Sequence, residues 1–274
     1  MESKNVIALK RHPMNIKFTN TWYTSQVPDN LDDYVVVDVT SRCIRDKSFM
    51  KDHPTFHKDV SPLYVGPITA SDGMEAKVFE HFWQASKVYP CHFANGELTS
   101  DYFSWRKMWF NKPFSYREKV YSRHPYYLLG YQKNDCLFSV YYENGKYIHL
   151  DYIEARKKLY IPEYAKFIVN TESYKWLKRL YDQGKKIALV DFDGYNYTYD
   201  GALKKLYKGY LNKCHNQKVK PMVNEEDFLN LRSVTDVVNC GFTPMGHSFV
   251  IKMLLEGDIE VVDNKVIDHI GVLN

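Results

Sequence analysis

One stretch, residues 76–89 (AKVFEHFWQASKVY), constrains the fold more than any other part of this chain. As an α-helix, with successive residues about 100° apart, it separates into two faces. One face is mostly apolar and can pack on a core; it carries Val78, Phe79, Phe82, Ala85, Ser86 and Tyr89. Spacings of three, four and seven residues return side chains to one side of a helix. The opposite face therefore brings together Glu80, Trp83, Gln84 and Lys87.

This polar face has two interpretations. Charged side chains are mostly exposed, so the face can simply be solvated. Trp83 in its middle favours a pocket instead, because a solvated face seldom carries a tryptophan. An aromatic wall flanked by an acid and a base is what a pocket for a flat polar ligand needs. We therefore predict that these four residues form part of a binding or catalytic site.

The composition limits the class of protein. The 274 residues have a net charge of +4, which is mild for a dedicated nucleic-acid-binding protein. No apolar run approaches the roughly 20 residues that a membrane helix needs, so we expect no membrane partner. The cysteines are scattered without the spacing of a zinc site, and we expect a soluble protein of a reducing cytoplasm, or of a host cytoplasm if viral. They are Cys43, Cys91, Cys136, Cys214 and Cys240.

The pattern of strands and helices predicts a single α+β domain over residues 34–256, between an N-terminal arm (1–33) and a C-terminal tail (257–274). β-branched runs at 34–40 and 186–191 predict buried strands. Further expectations are a turn at 143–146, helical segments at 151–167, 171–182 and 246–256, and a short strand at 259–262. In the first of these helical segments, Pro162 marks a kink or a break between two helices.

Residues 201–232 have the character of a basic, mostly helical insertion. Lysines cluster there, with tyrosines between them, and such a patch can follow the phosphates of a nucleic acid. It can equally be a solvated helix face. The residues that we single out for nucleic-acid contact are Lys204, Lys205 and Lys208.

A second cluster ends the strand at 186–191. Asp191 and Asp193 come just before Gly194, and alternation places both carboxylates on one side if the strand continues. They can share a proton, coordinate magnesium or bind ribose hydroxyls. The alternative is an Asx-turn that ends the strand.

A third cluster, Gly246, His247 and Ser248, opens the helix at 246–256. Exposed N–H groups at such a start favour a phosphate or another anion. Alternatively, Ser248 is a cap and His247 is a core histidine. The chain has no GxSxG, GxxxxGK or GxGxxG motif, which argues against serine hydrolases, P-loop kinases and ordinary dinucleotide-binding dehydrogenases.

Together these clusters resemble, in order, the motifs of NADAR proteins, the NAD- and ADP-ribose-associated superfamily. The segment 79–87 (FEHFWQASK) is similar to the signature helix of that family, 190–195 (VDFDGY) to its acidic segment, and 245–254 (MGHSFVIKML) to its final helix. Residues 151–164 with the final helix look like an uncharacterised group of that family in phages and bacteria. The chain departs from the family in its acidic segment, in 243–247 (TPMGH) and in the apparent insertion.

The resemblance implies a compact NADAR-like α+β fold and an N-glycosidase that acts on a ribosylated nucleobase or an ADP-ribosylated, nucleotide-like substrate. Lys87 would attack or stabilise the opened ribose, Glu80 would be the acid/base, and Asp191 or Asp193 would hold ribose hydroxyls or activate water. Trp83 would stack on the base, Gln84 would orient the substrate, and the start of the Gly246 helix would receive phosphate, with Gly194 and His247 also in contact with the substrate.

We expect no cofactor and no bound metal, and we expect Glu80, Lys87 and Asp191 to share one cleft. A non-catalytic binder of NAD- or ADP-ribose-like molecules, and a metal-dependent nucleotide- or DNA-modifying transferase, stay open as alternatives.

Overall fold

The structure is a computed structural model that describes residues 6–10, 33–39, 56–114, 124–132, 135–191, 208, 211–212, 233–241 and 245–274. Helices and strands are mixed in this part of the chain, as predicted. The helices are α1 (Phe56–Val60), α2 (Phe79–Ala85), α3 (Ser100–Asn111), α4 (Tyr152–Ala155), α5 (Ile161–Ile168), α6 (Glu172–Asp182), α7 (Val234–Asn239) and α8 (His247–Glu256), with 3-10 turns at Pro90–His92 and Pro125–Leu129. The strands are β1 (Val6–Lys10), β2 (Tyr34–Asp38), β3 (Ile68–Thr69), β4 (Glu75–Ala76), β5 (Lys87–Val88), β6 (Phe93–Ala94), β7 (Glu97–Leu98), β8 (Phe138–Glu143), β9 (Lys146–Leu150), β10 (Lys186–Asp191), β11 (Ile259–Val262) and β12 (Lys265–Asp268).

Two three-stranded sheets organise the fold. The first is parallel, with the strand order β1-β10-β2, and α8 packs against β1 and β10. The second is antiparallel, with the order β5-β8-β9. The strands β10 and β2 end at the same edge of the parallel sheet, where α8 begins. Ligands of open parallel sheets bind at such an edge.

The predicted strands at 34–40 and 186–191 are confirmed as β2 and β10. The predicted turn at 143–146 joins β8 to β9, where Asn144 and Gly145 both have positive φ, as the tightest hairpin turns require. The predicted helix at 171–182 is confirmed as α6; its first turn is capped by Thr171, whose side chain accepts the Tyr174 N–H. The predicted final helix and the short strand after it are confirmed as α8 and β11.

The predicted arm and tail both contribute to the folded body. Val6–Lys10, in the arm, is the edge strand β1, and its partner β10 lies about 180 positions further along the chain. In the tail, β11 pairs with β12. Val6, Ile259 and Val272 are buried in the same hydrophobic core as the rest of the fold. The predicted boundaries at 34 and 256 therefore do not mark where this core ends. The sequence could not show this, because a strand partner so distant along the chain leaves no local pattern.

The helix predicted over 76–89 is shorter than its periodicity suggests. It begins at Phe79 and ends at Ala85, and Ser86 closes it by donating its hydroxyl to the Phe82 carbonyl at 2.7 Å. The chain then becomes β5, in which Lys87 pairs with Ser139 of β8. Pairing with β8 overrides the helical periodicity here, and strand geometry suits the β-branched Val88.

The predicted interruption at Pro162 takes the form of a π-helical turn, Arg156–Tyr160, between α4 and α5. The Ile161 N–H reaches back five residues to the Arg156 carbonyl. Pro162 has no N–H to donate, and its ring clashes with the carbonyl four residues earlier in a regular helix. Widening of the helix just before the proline avoids that clash, so the chain stays helical without a break.

None of the helices in the described ranges is long and apolar enough to cross a membrane. Most of the predicted insertion, including Lys204 and Lys205, lies outside the described residues, while Lys208 is described and exposed.

Candidate functional site

Four residues of α2 and β5 form what we call the Lys87 group: Glu80, Trp83, Gln84 and Lys87. The Lys87 ammonium donates to Gln84 Oε1 at 2.7 Å, and Gln84 Nε2 donates to Glu80 Oε1 at 3.0 Å. Lys87 Nζ also lies 4.9 Å from the centre of the Trp83 ring. Although Lys87 follows the end of the helix, the structure brings all four predicted side chains together.

The Gln84 amide has one orientation that fits its neighbours. A lysine amine donates hydrogen bonds, and an ionised carboxylate accepts them. Gln84 must therefore turn its oxygen towards Lys87 and its nitrogen towards Glu80, as observed. The amide joins the base to the acid through two hydrogen bonds, and it is itself almost fully buried.

The Trp83 ring is packed on several sides. It meets the Tyr160 ring edge-on with a centroid distance of 5.2 Å, and it lies 6.3 Å from the Tyr152 ring at an angle of 41°. The side chain is 7% exposed. A base that stacks on Trp83 would have to displace one of these neighbours, so the structure favours Trp83 as a support for Lys87. The predicted stacking role stays a prediction.

Cys136, just before β8, lies near the Lys87 charge. Burial raises the pKa of its thiol, and the nearby Lys87 charge opposes that rise. The Leu137 N–H donates to the Val88 carbonyl, which anchors this part of the chain beside β5. The Lys87 group thus lies where α2, β5 and β8 meet.

A second cluster, the Asp191 group, comprises Asp191, His247 and Ser248 at the edge where the parallel strands end. Asp191 Oδ2 lies 3.2 Å from His247 Nδ1 and accepts the Ser248 N–H at 3.2 Å. The other ring nitrogen, His247 Nε2, is 2.8 Å from the Val39 carbonyl just after β2. Asp191 and His247 are both buried. Gly246, the N-cap of α8, has an extended conformation and places these contacts at the start of the helix.

Hydrogen bonding fixes the orientation of the imidazole ring. The Val39 carbonyl can only accept, so His247 Nε2 donates to it. Nδ1 then faces the Asp191 carboxylate, which also accepts the Ser248 N–H at the start of α8. Burial, and then the Asp191 charge, raise the pKa of the neighbouring Tyr164 well above its usual range.

Asp191 already accepts a backbone N–H at the start of α8, so a phosphate bound there would compete with this carboxylate. The predicted phosphate-binding role of Gly246 and the predicted catalytic role of Asp191 stay predictions. Asp193 and Gly194 lie outside the described residues.

Aromatic rings join the two groups. Tyr160, which contacts Trp83, lies 6.3 Å from Tyr164 in a stacked arrangement, and the Tyr164 ring is 5.8 Å from His247. Phe79 packs edge-on against both tyrosines. Tyrosine and phenylalanine side chains thus stand between the Lys87 group and the Asp191 group, and the shared cleft stays a prediction.

The pattern of 76–89 did not reveal Tyr152 and Tyr160 as neighbours of the Lys87 group. A signal does exist, because Tyr152, Arg156, Tyr160 and Tyr164 recur at intervals of four in a helical segment. Nothing in that spacing identifies Trp83 as the partner of Tyr152 and Tyr160. Among the described residues, no group of three or more His, Cys, Asp or Glu side chains is placed to hold a metal ion.

Comparisons of the chain with protein-family models, with curated proteins and with solved structures find no match. The function of this protein must therefore be inferred from the geometry of the two groups.

Proposed function

We propose that this protein is an N-glycosidase that cleaves the bond between a ribose and a nucleobase or nucleotide-like amine, with Lys87 as the nucleophile and Glu80 as the acid/base. The contact that carries the proposal is the chain from the Glu80 carboxylate through the Gln84 amide to Lys87 Nζ. It places a nucleophile and an acid/base within one hydrogen-bonded unit, the usual requirement for covalent catalysis.

The reaction can be balanced with these groups. As the bond between the ribose C1 and the base nitrogen breaks, the electron pair goes to the nitrogen, which takes up a proton. The neutral Lys87 amine bonds to C1 and loses a proton. The bond between C1 and the ring oxygen then breaks, the ring oxygen takes up the second amine proton, and a Schiff base forms between C1 and Lys87. One water then hydrolyses the Schiff base and restores the amine. Glu80 is the group that accepts and returns the protons, and Gln84 holds the Glu80 carboxylate close to the Lys87 amine.

The environment of Lys87 suits this role in two respects. The side chain is only 8% exposed, which shields a Schiff base from bulk water. The ammonium also donates to a neutral amide oxygen at 2.7 Å, a hydrogen bond that is weaker than one to a carboxylate.

The test uses a panel of ribosides: NAD, nicotinamide riboside, an oligonucleotide with ADP-ribosylated guanine, and a phosphorylated ribosylamino pyrimidine. Release of the free base is followed by liquid chromatography, and borohydride added during turnover should trap ribose on Lys87. Lys87→Arg keeps the charge but forms no Schiff base, so turnover should fall at least about 100-fold.

Lys112→Arg is the matched control, because Lys112 Nζ lies 4.8 Å from the centre of the Trp109 ring, much as Lys87 lies on Trp83. It should leave turnover unchanged. An active Lys87→Arg enzyme would rule out the covalent route. A wild-type protein that binds members of the panel without releasing a base would favour a non-catalytic binder, and loss of turnover on chelation would favour the metal-dependent transferase.

A further inference from the structure

The π-helical turn at Arg156–Tyr160 lies against the Lys87 group. Helical turns of this kind are rare and often occur at functional sites. Tyr152 lies four residues before the start of this turn, and Tyr160 is its last residue. Both rings contact the Trp83 ring, at centroid distances of 6.3 Å and 5.2 Å. Both tyrosines therefore contact the same tryptophan.

Each tyrosine is held in turn by a buried neighbour. The Arg156 guanidinium lies 4.3 Å from the centre of the Tyr152 ring. It also donates to the Val237, Val238 and Cys240 carbonyls at the end of α7. On the other side, Tyr160 packs edge-on against Phe79 at 5.1 Å. Neither tyrosine can rotate without disturbing a contact in the core.

We propose that the π-helical turn is a positioning element of the Lys87 site, in which Tyr160 and Tyr152 clamp Trp83 so that its ring stays under the Lys87 amine. This inference rests on the function proposed above. Tyr160 and Tyr152 are positioning residues, because they act on Lys87 through Trp83. The π-helical turn closes its hydrogen bond over five residues instead of four, so it changes the orientation of Tyr160 relative to Tyr152 from that in a regular helix.

The face of an aromatic ring stabilises a cation, so Trp83 favours the charged form of Lys87. If the clamp is removed, the ring moves and part of that stabilisation is lost. The neutral amine should then appear at a lower pH. The shift expected for one cation–π contact is about half a pH unit, or roughly a threefold change in the neutral fraction.

The experiment measures the pH dependence of reductive methylation at each lysine, with formaldehyde and cyanoborohydride as the probe and mass spectrometry of peptides as the readout. For methylation of Lys87, Tyr160→Leu should lower the midpoint of the pH dependence by about half a pH unit. Tyr160→Phe keeps the ring edge, so its midpoint should equal the wild-type value. Lys112 on Trp109 is the internal control, and its midpoint should stay constant in every variant.

Tyr174→Leu is the matched control for packing, because Tyr174 on α6 and Tyr160 are each 8% exposed. It should destabilise the protein by a similar amount without moving the Lys87 midpoint. If Tyr160→Leu does not fold, Tyr152→Leu provides the same test at a half-buried position.

An unchanged Lys87 midpoint in the leucine variants, or an equal shift in Tyr174→Leu, would overturn the clamp. The proposed function is judged separately. If wild-type Lys87 forms no ribose adduct, the covalent chemistry fails, while the midpoints still decide whether the tyrosines position Trp83.

Discussion

Two lysines of this protein are buried in different ways. Lys252 on α8 is 3% exposed and Lys87 is 8% exposed, so both ammonium groups are largely removed from water. Lys252 Nζ donates to the Glu256 carboxylate at 2.5 Å and to the Val6 carbonyl at 2.6 Å. Lys87 Nζ donates to the Gln84 amide and lies on the Trp83 ring.

The contacts of Lys252 hold the fold together. Glu256 also accepts the Val6 N–H at 3.2 Å, so the pair binds both backbone groups of the first residue of β1. The edge strand β1 is thereby attached to α8 as well as to β10. A carboxylate in direct contact and a link between two elements suit a structural role.

Two contacts of the Lys87 amine lie within a short segment of chain, since Trp83 and Gln84 precede it by four and three residues. These two contacts orient the amine within α2 and β5. The comparison teaches that burial alone does not separate a structural lysine from a reactive one. The nature of the partner and the elements that it joins are more informative.

The largest effect on stability is expected at the Lys252–Glu256 pair. Lys252→Met leaves Glu256 buried without its partner lysine, so the free energy of unfolding should fall by about 3–5 kcal/mol. Lys87→Met removes a hydrogen bond and a ring contact and should cost about 1–2 kcal/mol. Urea unfolding followed by circular dichroism measures both.

Lys175→Met is the surface control, because the Lys175–Glu172 pair is about half exposed or more and should matter little. The double variant Lys252→Met/Glu256→Met should regain part of the loss, since it removes the stranded carboxylate. Equal losses for Lys252→Met and Lys87→Met would remove the distinction between the two lysines.

A second buried ion pair extends the comparison and provides a pH test. Arg106 on α3 pairs with Asp72, which also accepts the Tyr147 hydroxyl at 2.7 Å. Burial alone would raise the pKa of Asp72, but hydrogen bonds from Arg106 and Tyr147 outweigh burial and lower it below the ordinary value of 3.8. Asp72 therefore stabilises the fold above that pH, and the contribution is lost as the pH falls through its lowered pKa.

Asp72→Asn should reduce the free energy of unfolding by about 2 kcal/mol at pH 7, because hydrogen bonds to a charged group are lost. The difference from wild type should shrink as the pH falls below about 4. Asp182→Asn, which removes an exposed carboxylate paired with Lys178, should show little difference at any pH. If the difference in the free energy of unfolding between Asp72→Asn and wild type stays constant from pH 7 to pH 3, the assigned role of Asp72 is wrong.

Much of the local structure was predictable from sequence. β-branched runs identified β2 and β10, the turn signal at 143–146 identified the hairpin, and the pattern of 171–182 identified α6. Each of these signals acts over a few residues. The four residues of the Lys87 group were also found from spacing, because they are close in sequence.

Long-range pairing was not predictable. Nothing near Val6 indicates that it binds β10 and Glu256, and the helix at 76–89 is shortened by β8, about 50 positions further along the chain. The Asp191–His247 contact joins residues 56 positions apart, and the pattern presented each as a separate candidate. Contacts of this kind depend on tertiary packing, which single-sequence periodicity does not record.

The smallest expected effect concerns the amide between the acid and the base. Gln84→Leu removes two hydrogen bonds but strands neither partner fully, because Glu80 is half-buried and Lys87 keeps the Trp83 ring. The free energy of unfolding should fall by about 1 kcal/mol. Asn111→Leu, which removes an exposed amide that donates to the Lys107 carbonyl, is the control and should change stability by less.

Yet Gln84→Leu should slow ribose trapping at Lys87 strongly, since Glu80 is no longer joined to the amine. A loss of stability as large as that of Lys252→Met, with trapping unaffected, would show that Gln84 holds the fold and that Lys87 belongs to the same structural class as Lys252.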